Sequence, residues 1–297
     1  MIGRKLTAAL VAKGSLQDQP ITGLTLVDIT APVLPDGVPG AALAADLSDA
    51  AAAPALIDAR PDVIFHLAAA VHGSASTYEG FERVNVGGTE NVIGVARGDG
   101  ARLVYVSTVN VDGFRRGVLR DAYASTKSRA EELVLSAAGD GLDAVIVRSG
   151  IVFGDEAGRA GLIVDRLLAG SLRVLAVPSR MISPVWTGDL ARALVRAAEF
   201  GASGATYTVA GPTVSTGAFV AVVATSAGVR APRVSIPAWA VAVPLQLAWW
   251  GRKVTRWTPP VGVEAVRTGS VHDGSSAAHE LGYSYTPVSE IFKRTSL

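Results

Sequence analysis

The run Asp121-Ala-Tyr-Ala-Ser-Thr-Lys127 decides how the rest of this 297-residue chain reads. Ala124, Ala130, Glu131, Glu132 and Leu133 favour a helix through and beyond it. A spacing of four then puts the Tyr123 phenol and the Lys127 ammonium on one face, one turn apart. An unperturbed tyrosine titrates near ~10, and a fixed cation within a few ångströms lowers that toward neutrality. Such a phenol can exchange a proton with a substrate hydroxyl. Alone, the spacing equally describes an exposed Tyr and Lys on a surface helix, so its weight comes from what flanks it.

Apolar runs lie on either side, at Gly23–Val27, Asp62–Leu67, Arg102–Val106, Asp143–Val147 and Ala205–Val209, with helix-like segments between most of them. Near-continuous apolar strands separated by helices predict a parallel sheet covered on both faces, a doubly wound α/β fold. From about Gly211 the rhythm loosens, with prolines at 212, 232, 237, 244, 259 and 260. The expected division is a main domain over 1–210, in which 149–185 contributes to a substrate site, and a smaller cap over 211–297. Gly3 to Lys13 reads as an amphipathic helix closed by Gly14, with no strand before it.

A formal net charge of +1 and a pI near 8.0 give no polyelectrolyte signature, so nucleic acid is not an expected partner. The absence of cysteine removes disulfides, thiolate nucleophiles and Cys-based metal sites, and fits a cytoplasmic location. No secretory leader is read at the start. His66, His72, His272 and His279 show no metal-ligand spacing, and no metal is expected. Residues 236–257 combine an uncharged run with Trp249, Trp250, Trp257 and nearby Arg and Lys. The run is shorter than a membrane span of ~20 residues. It reads either as a buried or lid helix or as a peripheral membrane contact.

Six pieces together carry a resemblance: Asp62-Val-Ile-Phe-His-Leu-Ala-Ala69, Asn85-Val-Gly-Gly-Thr-Glu-Asn-Val92, Leu103-Val-Tyr-Val-Ser-Thr108, Tyr123 to Lys127, Arg148-Ser-Gly-Ile-Val-Phe-Gly154 and Leu281-Gly-Tyr-Ser-Tyr-Thr-Pro287. The chain resembles the extended short-chain dehydrogenases/reductases, the epimerase/dehydratase family that includes 3β-hydroxysteroid dehydrogenases. The resemblance implies a Rossmann domain, a C-terminal substrate-binding cap, a nicotinamide cofactor, an alcohol or ketone substrate and a homodimer. By the same resemblance Thr108 holds the substrate oxygen, with Ser107 as second choice. Tyr123 is the general acid/base, and Lys127 binds the nicotinamide ribose while depressing the Tyr123 pKa. Leu67, Ala68, Ala69, Asn85 and Gly150 fall on the cofactor side, as do Asp46 and Leu47, near the adenine. Asp46 reads equally as a helix N-cap. Asp28, about 25 residues beyond Gly3, sits where a carboxylate accepts bonds from the adenosine ribose and repels a 2′-phosphate, which favours NAD over NADP. It reads equally as a turn-forming Asp at a strand end.

Three departures set further expectations. Of the glycine fingerprint only the last member, Gly3, is present, so the first strand and turn are expected to lie upstream of Met1. The Val109–Ala122 loop is short and brings Arg115, Arg116 and Arg120 toward the substrate. Ile151 and Ile182 stand where relatives acting on nucleotide sugars carry polar and basic residues, which favours an apolar alcohol. Against that, the 71–81 loop with Ser74 and Ser76 looks similar to sugar-acid dehydrogenases. The leading reading is reversible oxidation of a secondary alcohol. The rivals are epimerisation through a keto intermediate and a nucleotide-binding sensor that has kept the fold without turnover.

Overall fold

The computed structural model describes residues 2–49, 58–71, 77–154, 158–241, 243 and 270–292. Helix α1 (Ile2–Lys13) opens the chain and ends at Gly14, whose φ of 69° is the left-handed conformation that closes a helix without a Cβ clash. The parallel pair β1 (Leu24–Asp28) and β2 (Gly40–Ala44) follows. Strand β3 (Val63–His66) leads through a π-helical turn at Arg83–Gly87 into α2 (Gly88–Asp99). Next come β4 (Arg102–Thr108), the short α3 (Asn110–Arg115), α4 (Ala122–Gly139) and β5 (Ala144–Ser149). Helix α5 (Thr187–Phe200) and β6 (Thr206–Val209) complete the main body. The main sheet has the order β6-β5-β4-β3, all parallel.

Alternation along the central strands explains the two covered faces. Leu103 and Tyr105 of β4 and Ala144 and Ile146 of β5 pack with Val92 and Ala96 of α2 and Ala130, Val134 and Ala137 of α4. Their neighbours Val104, Val106, Val145 and Val147 pack on the other side with Leu6 and Leu10 of α1 and Leu190 and Leu194 of α5. Successive side chains on a strand point to opposite faces, so continuous apolar strands need helices on both. The five expected strands and the opening helix are all present. Strand β2 was not expected, nor were the short strand pairs Ile151–Phe153 with Pro184–Trp186 and Val174–Ala176 with Val234–Ile236.

The sheet comes in two pieces. Among the described residues β1 is paired only with β2, and β3 only with β4. Leu24 of β1 and Val63 and Phe65 of β3 nevertheless pack against the same cluster as Leu6 and Leu10 of α1. One helix therefore covers the inner edges of both pieces. A further core joins Phe153, Val164, Leu167, Leu175 and Ile182 to Phe219, Val220, Val223 and Ala224, with Val288, Ile291 and Phe292 against it. Between those segments the chain returns to the first core through α5, β6 and residues Ala277 and Leu281. No helix among the described residues is long and apolar enough to cross a membrane. Most of the 236–257 segment, including its three tryptophans, and residues 72–76 lie outside the described residues.

The β1–β2 pair depends on one glycine. Gly40 has φ 145°, and a Cβ on it would fall 1.9 Å from the Leu24 carbonyl oxygen. Gly40→Ala is expected to lower the unfolding free energy by more than ~1 kcal/mol in urea titrations, with the far-UV signature of the main sheet retained.

Candidate active site

The C-terminal end of β4 and the first two turns of α4 meet to form the site. Asp121 starts α4 as its N-cap: its backbone is extended and its carboxylate accepts the Ala124 N–H at 3.3 Å. The buried face of α4 then carries Ala124, Lys127, Ser128, Glu131 and Val134, an apolar stripe with two charges inside it. Thr108 is the last residue of β4. Its Oγ accepts the Asn110 N–H at 3.3 Å, and it shares a hydrogen bond with the Tyr123 hydroxyl. Ser107 is also buried, but its Oγ finds no hydrogen-bond partner. The structure therefore brings Thr108 and Tyr123 together, with Lys127 one turn further along.

The charge arrangement differs from the expectation. Lys127 Nζ donates to the Val106 carbonyl at 2.7 Å and sits 4.1 Å from the centre of the Tyr105 ring. Complete burial pulls it down to about 7, opposed by the negative charge of Glu131. Tyr123 is not depressed. Burial, reinforced by Asp121, pushes it up to about 12 against the bond from Thr108. Burial therefore keeps Tyr123 a protonated phenol at neutral pH.

Among the residues expected around a cofactor, Asn85 is the most tightly held. Its Oδ1 accepts the Ala70 N–H at 2.7 Å, and its Nδ2 donates to the Ala70 carbonyl at 3.2 Å and to Thr126 Oγ1 at 3.0 Å. Thr126 in turn donates to the carbonyls of Ala122 and Tyr123. Asn85 thus clamps the end of the Leu67-Ala68-Ala69 loop to the turn that carries Tyr123, from a π-helical turn of the kind that recurs at functional sites. Its side-chain capacity is taken up by protein, so it positions the loop and helix rather than presenting free polar atoms. Ala68 is exposed and Ala69 half-buried, while Leu67 packs into the first core.

Gly3 lies exposed near the start of α1 with open space where a Cβ would be. Asp28 is exposed at the end of β1 and accepts its neighbour Ile29 N–H at 2.7 Å, the turn-forming role. Asp46 is held by Ser48 N and Oγ at 3.0 and 2.6 Å and by Arg83 at 3.0 Å, bonds that keep its carboxyl below the usual range. The two bonds from Ser48 close a local turn. The Leu47 carbonyl accepts from Asn91 at 2.8 Å. At Gly150 a Cβ would fall 2.9 Å from the Ser183 carbonyl oxygen, which accounts for a glycine there by close chain approach.

Sequence reasoning missed the ionic cluster beneath Lys127. Glu131, fully buried, receives Arg148 in a fork at 2.8 and 2.6 Å and Arg115 at 3.1 Å; Arg148 also reaches Asp112 at 2.7 Å. The available signal was Glu131 four residues beyond Lys127 and Arg148 at the head of a quoted motif. Arg115 is thereby turned to the helix, while Arg115 and Arg116 with Asp112, Val271, His272 and Asp273 line a shallow depression at the surface. Arg120 is exposed. Ile151 and Ile182 pack in the further core.

Residues 22–246 match the family model for the RmlD substrate binding domain. The chain belongs to that family. It is thereby an extended short-chain dehydrogenase/reductase, in line with the order of its motifs. A 4-hydroxy-2-methyl-3-oxo-4-farnesyl-3,4-dihydroquinoline-1-oxide ketoreductase of Stigmatella aurantiaca is 30% identical over 243 residues, 75% of this chain and 72% of its own. The crystal structure of gox2253 superposes with a TM-score of 0.80 at 22% identity, covering 99% and 93% of the two chains. MoeE5, solved with UDP-glucuronic acid and NAD, gives 0.69 at 22% identity over 98% and 93%. These structures share the Rossmann-like fold of this family member.

Two outcomes test the site's construction. Asn85→Ala leaves the buried Ala70 and Thr126 groups unpaired, and is expected to cost roughly 2–4 kcal/mol in urea unfolding, more than Asn85→Asp, which keeps the acceptor. Lys127 binds its proton less tightly folded than unfolded, so the unfolded chain holds the extra proton between about 7 and the ordinary lysine value. Stability should therefore rise with pH through that window, and the rise should be missing in Lys127→Met.

Proposed function

We propose that this chain is an NAD(P)-dependent oxidoreductase acting at a secondary alcohol or ketone, with Thr108, Tyr123 and Lys127 as its site. The observation that carries the reading is the hydrogen bond between Thr108 and Tyr123 at the C-terminal end of β4, with a buried lysine one turn along. A substrate oxygen placed at that bond is held by the Thr108 hydroxyl and receives the Tyr123 proton. The Tyr123 hydroxyl can give its proton to a carbonyl oxygen and take it back in the reverse reaction, and the ketoreductase activity of the Stigmatella relative supports reduction. When bound, the nicotinamide supplies the hydride; the protein supplies position and the proton.

The residues present fit such a cofactor in part. The open space above Gly3 at the start of α1 suits a phosphate group, and the exposed Asp28 carboxylate suits ribose hydroxyls and favours NAD. We further propose that residues preceding Ile2 supply one parallel strand between β1 and β3. The support is that both strands lack a ladder partner on one side among the described residues, while sharing a core beneath α1.

Ile151 and Ile182, which pack in the further core, offer no charge at those two positions to pair with a diphosphate, and this supports an uncharged, apolar substrate. A nucleotide-sugar epimerase or dehydratase is the second reading, favoured by the family's substrate binding domain and by MoeE5. A homodimer, a cytoplasmic location and a membrane contact through 236–257 belong to this proposal as well. A sensor without turnover remains the rival outside enzymes.

Tyr123→Phe is expected to lower turnover roughly 10²–10⁴-fold while NADH fluorescence titrations stay unchanged. Unchanged turnover would sink the catalytic reading and favour the sensor. A chain extended upstream in frame should bind NADH more tightly than the 297-residue form; equal affinity counts against the added strand.

A further inference from the structure

We propose that Glu131 is a positioning residue, which locks the Tyr123–Lys127 helix to β5 and α3 and acts as the counter-charge that keeps Lys127 protonated in a dry site. The inference rests on the reading above that Lys127 serves the site. Glu131 is fully buried, and a buried carboxylate is retained only where it is paired. Its partners come from two other elements. Arg148, beside the last residue of β5, forks onto both of its oxygens at 2.8 and 2.6 Å. Arg115, the last residue of α3, reaches it at 3.1 Å and also donates to Ser128 Oγ at 3.0 Å. The other arm of Arg148 returns to Asp112 on α3 at 2.7 Å. Helix α3 begins two residues after Thr108, so the cluster ties together the elements that carry Thr108, Tyr123 and Lys127.

The surroundings of Lys127 leave Glu131 its electrostatic part. On its own helix α4, Lys127 feels the negative charge of Glu131, one turn on. On β4 it lies over Tyr105, an undissociated phenol whose ionisation burial pushes far up. On β3 it faces His66, which burial, and then the lysine itself, keeps neutral down to about 3. From β5 and α3 it meets Arg148, Arg115 and Asp112 only through the cluster around Glu131. The negative charge of Glu131 favours the charged lysine, against the burial that opposes it. A helix kept for packing alone has no need of an anion one turn beyond a buried cation.

The test uses the whole protein without cofactor. The chain has five lysines, so with 13Cε-lysine labelling the Lys127 signal can be assigned by Lys127→Met and titrated by NMR across neutral and alkaline pH. In the native sequence Lys127 should titrate near about 7. In Glu131→Gln the midpoint should fall by roughly one pH unit, and Glu131→Asp should restore most of it. Because Glu131→Gln strands Arg148, the paired variant Glu131→Gln/Arg148→Met, which removes both sides of the fork, is measured alongside and should show a smaller fall in the same direction. An unmoved midpoint in a folded Glu131→Gln or in the paired variant overturns the proposal. The readout is independent of turnover: a shifted midpoint together with full activity in Tyr123→Phe would keep the coupling and discard the oxidoreductase reading.

Discussion

Two strands, β4 and β5, are buried on both faces, and the rest of the molecule follows from covering them. Their alternate side chains demand a helix layer on each side, so α2 and α4 take one face and α1 and α5 the other. A parallel sheet built this way gathers its strand ends at one rim, where the chain must leave the layer and where loops and helix starts converge. Thr108 and Ser149 end neighbouring strands there, and α4 begins beside them. Thr108 and the start of α4 are therefore held by the packing of these strands, and Asp121 and Asn85 fasten the first turns of the helix.

The same burial explains the electrical character of the site. The buried Lys127 amine cannot be solvated, so its charge depends on the Val106 carbonyl, the Tyr105 ring and the negative charge of Glu131. The Tyr123 phenol nearby loses water too, and its proton is held more firmly. One desolvated neighbourhood thus weakens the proton on the lysine and strengthens it on the tyrosine, opposite signs from one cause.

How much of this could be read from the sequence depended on whether the deciding interaction was local. The five apolar strands and the helix ended by Gly14 were legible because they rest on composition over a few residues. So was the proximity of Tyr123 and Lys127 on one helix. Strand β2 was not, since Gly40-Ala-Ala-Leu-Ala44 has no β-branched residue and gains its conformation by pairing with β1. Glu131 read only as a helix former; that it is buried depends on Arg148, 17 residues away on another element. Asn85 was placed on the cofactor side, yet whether its amide faces a ligand or Ala70 is settled by the fold of the π-helical turn. The direction of the Tyr123 shift went the wrong way for the same reason: spacing gives the separation along a helix, not where the Lys127 ammonium is pulled.

The two cores interleave along the chain, and that has a mechanical consequence. Segments 151–182, 214–236 and 288–292 belong to the further core, while 184–209 and 275–285 return to the first. Thr286 is fastened to Asp189 by its N–H at 2.9 Å and its hydroxyl at 2.8 Å, pinning one such crossing. A lobe joined by a single pair of connections can swing open like a door. One stitched through the body at several points can only shear by small sliding of its packed helices. Packing across those crossings keeps the described part of the further core in register with the strand ends at Thr108 and Ser149.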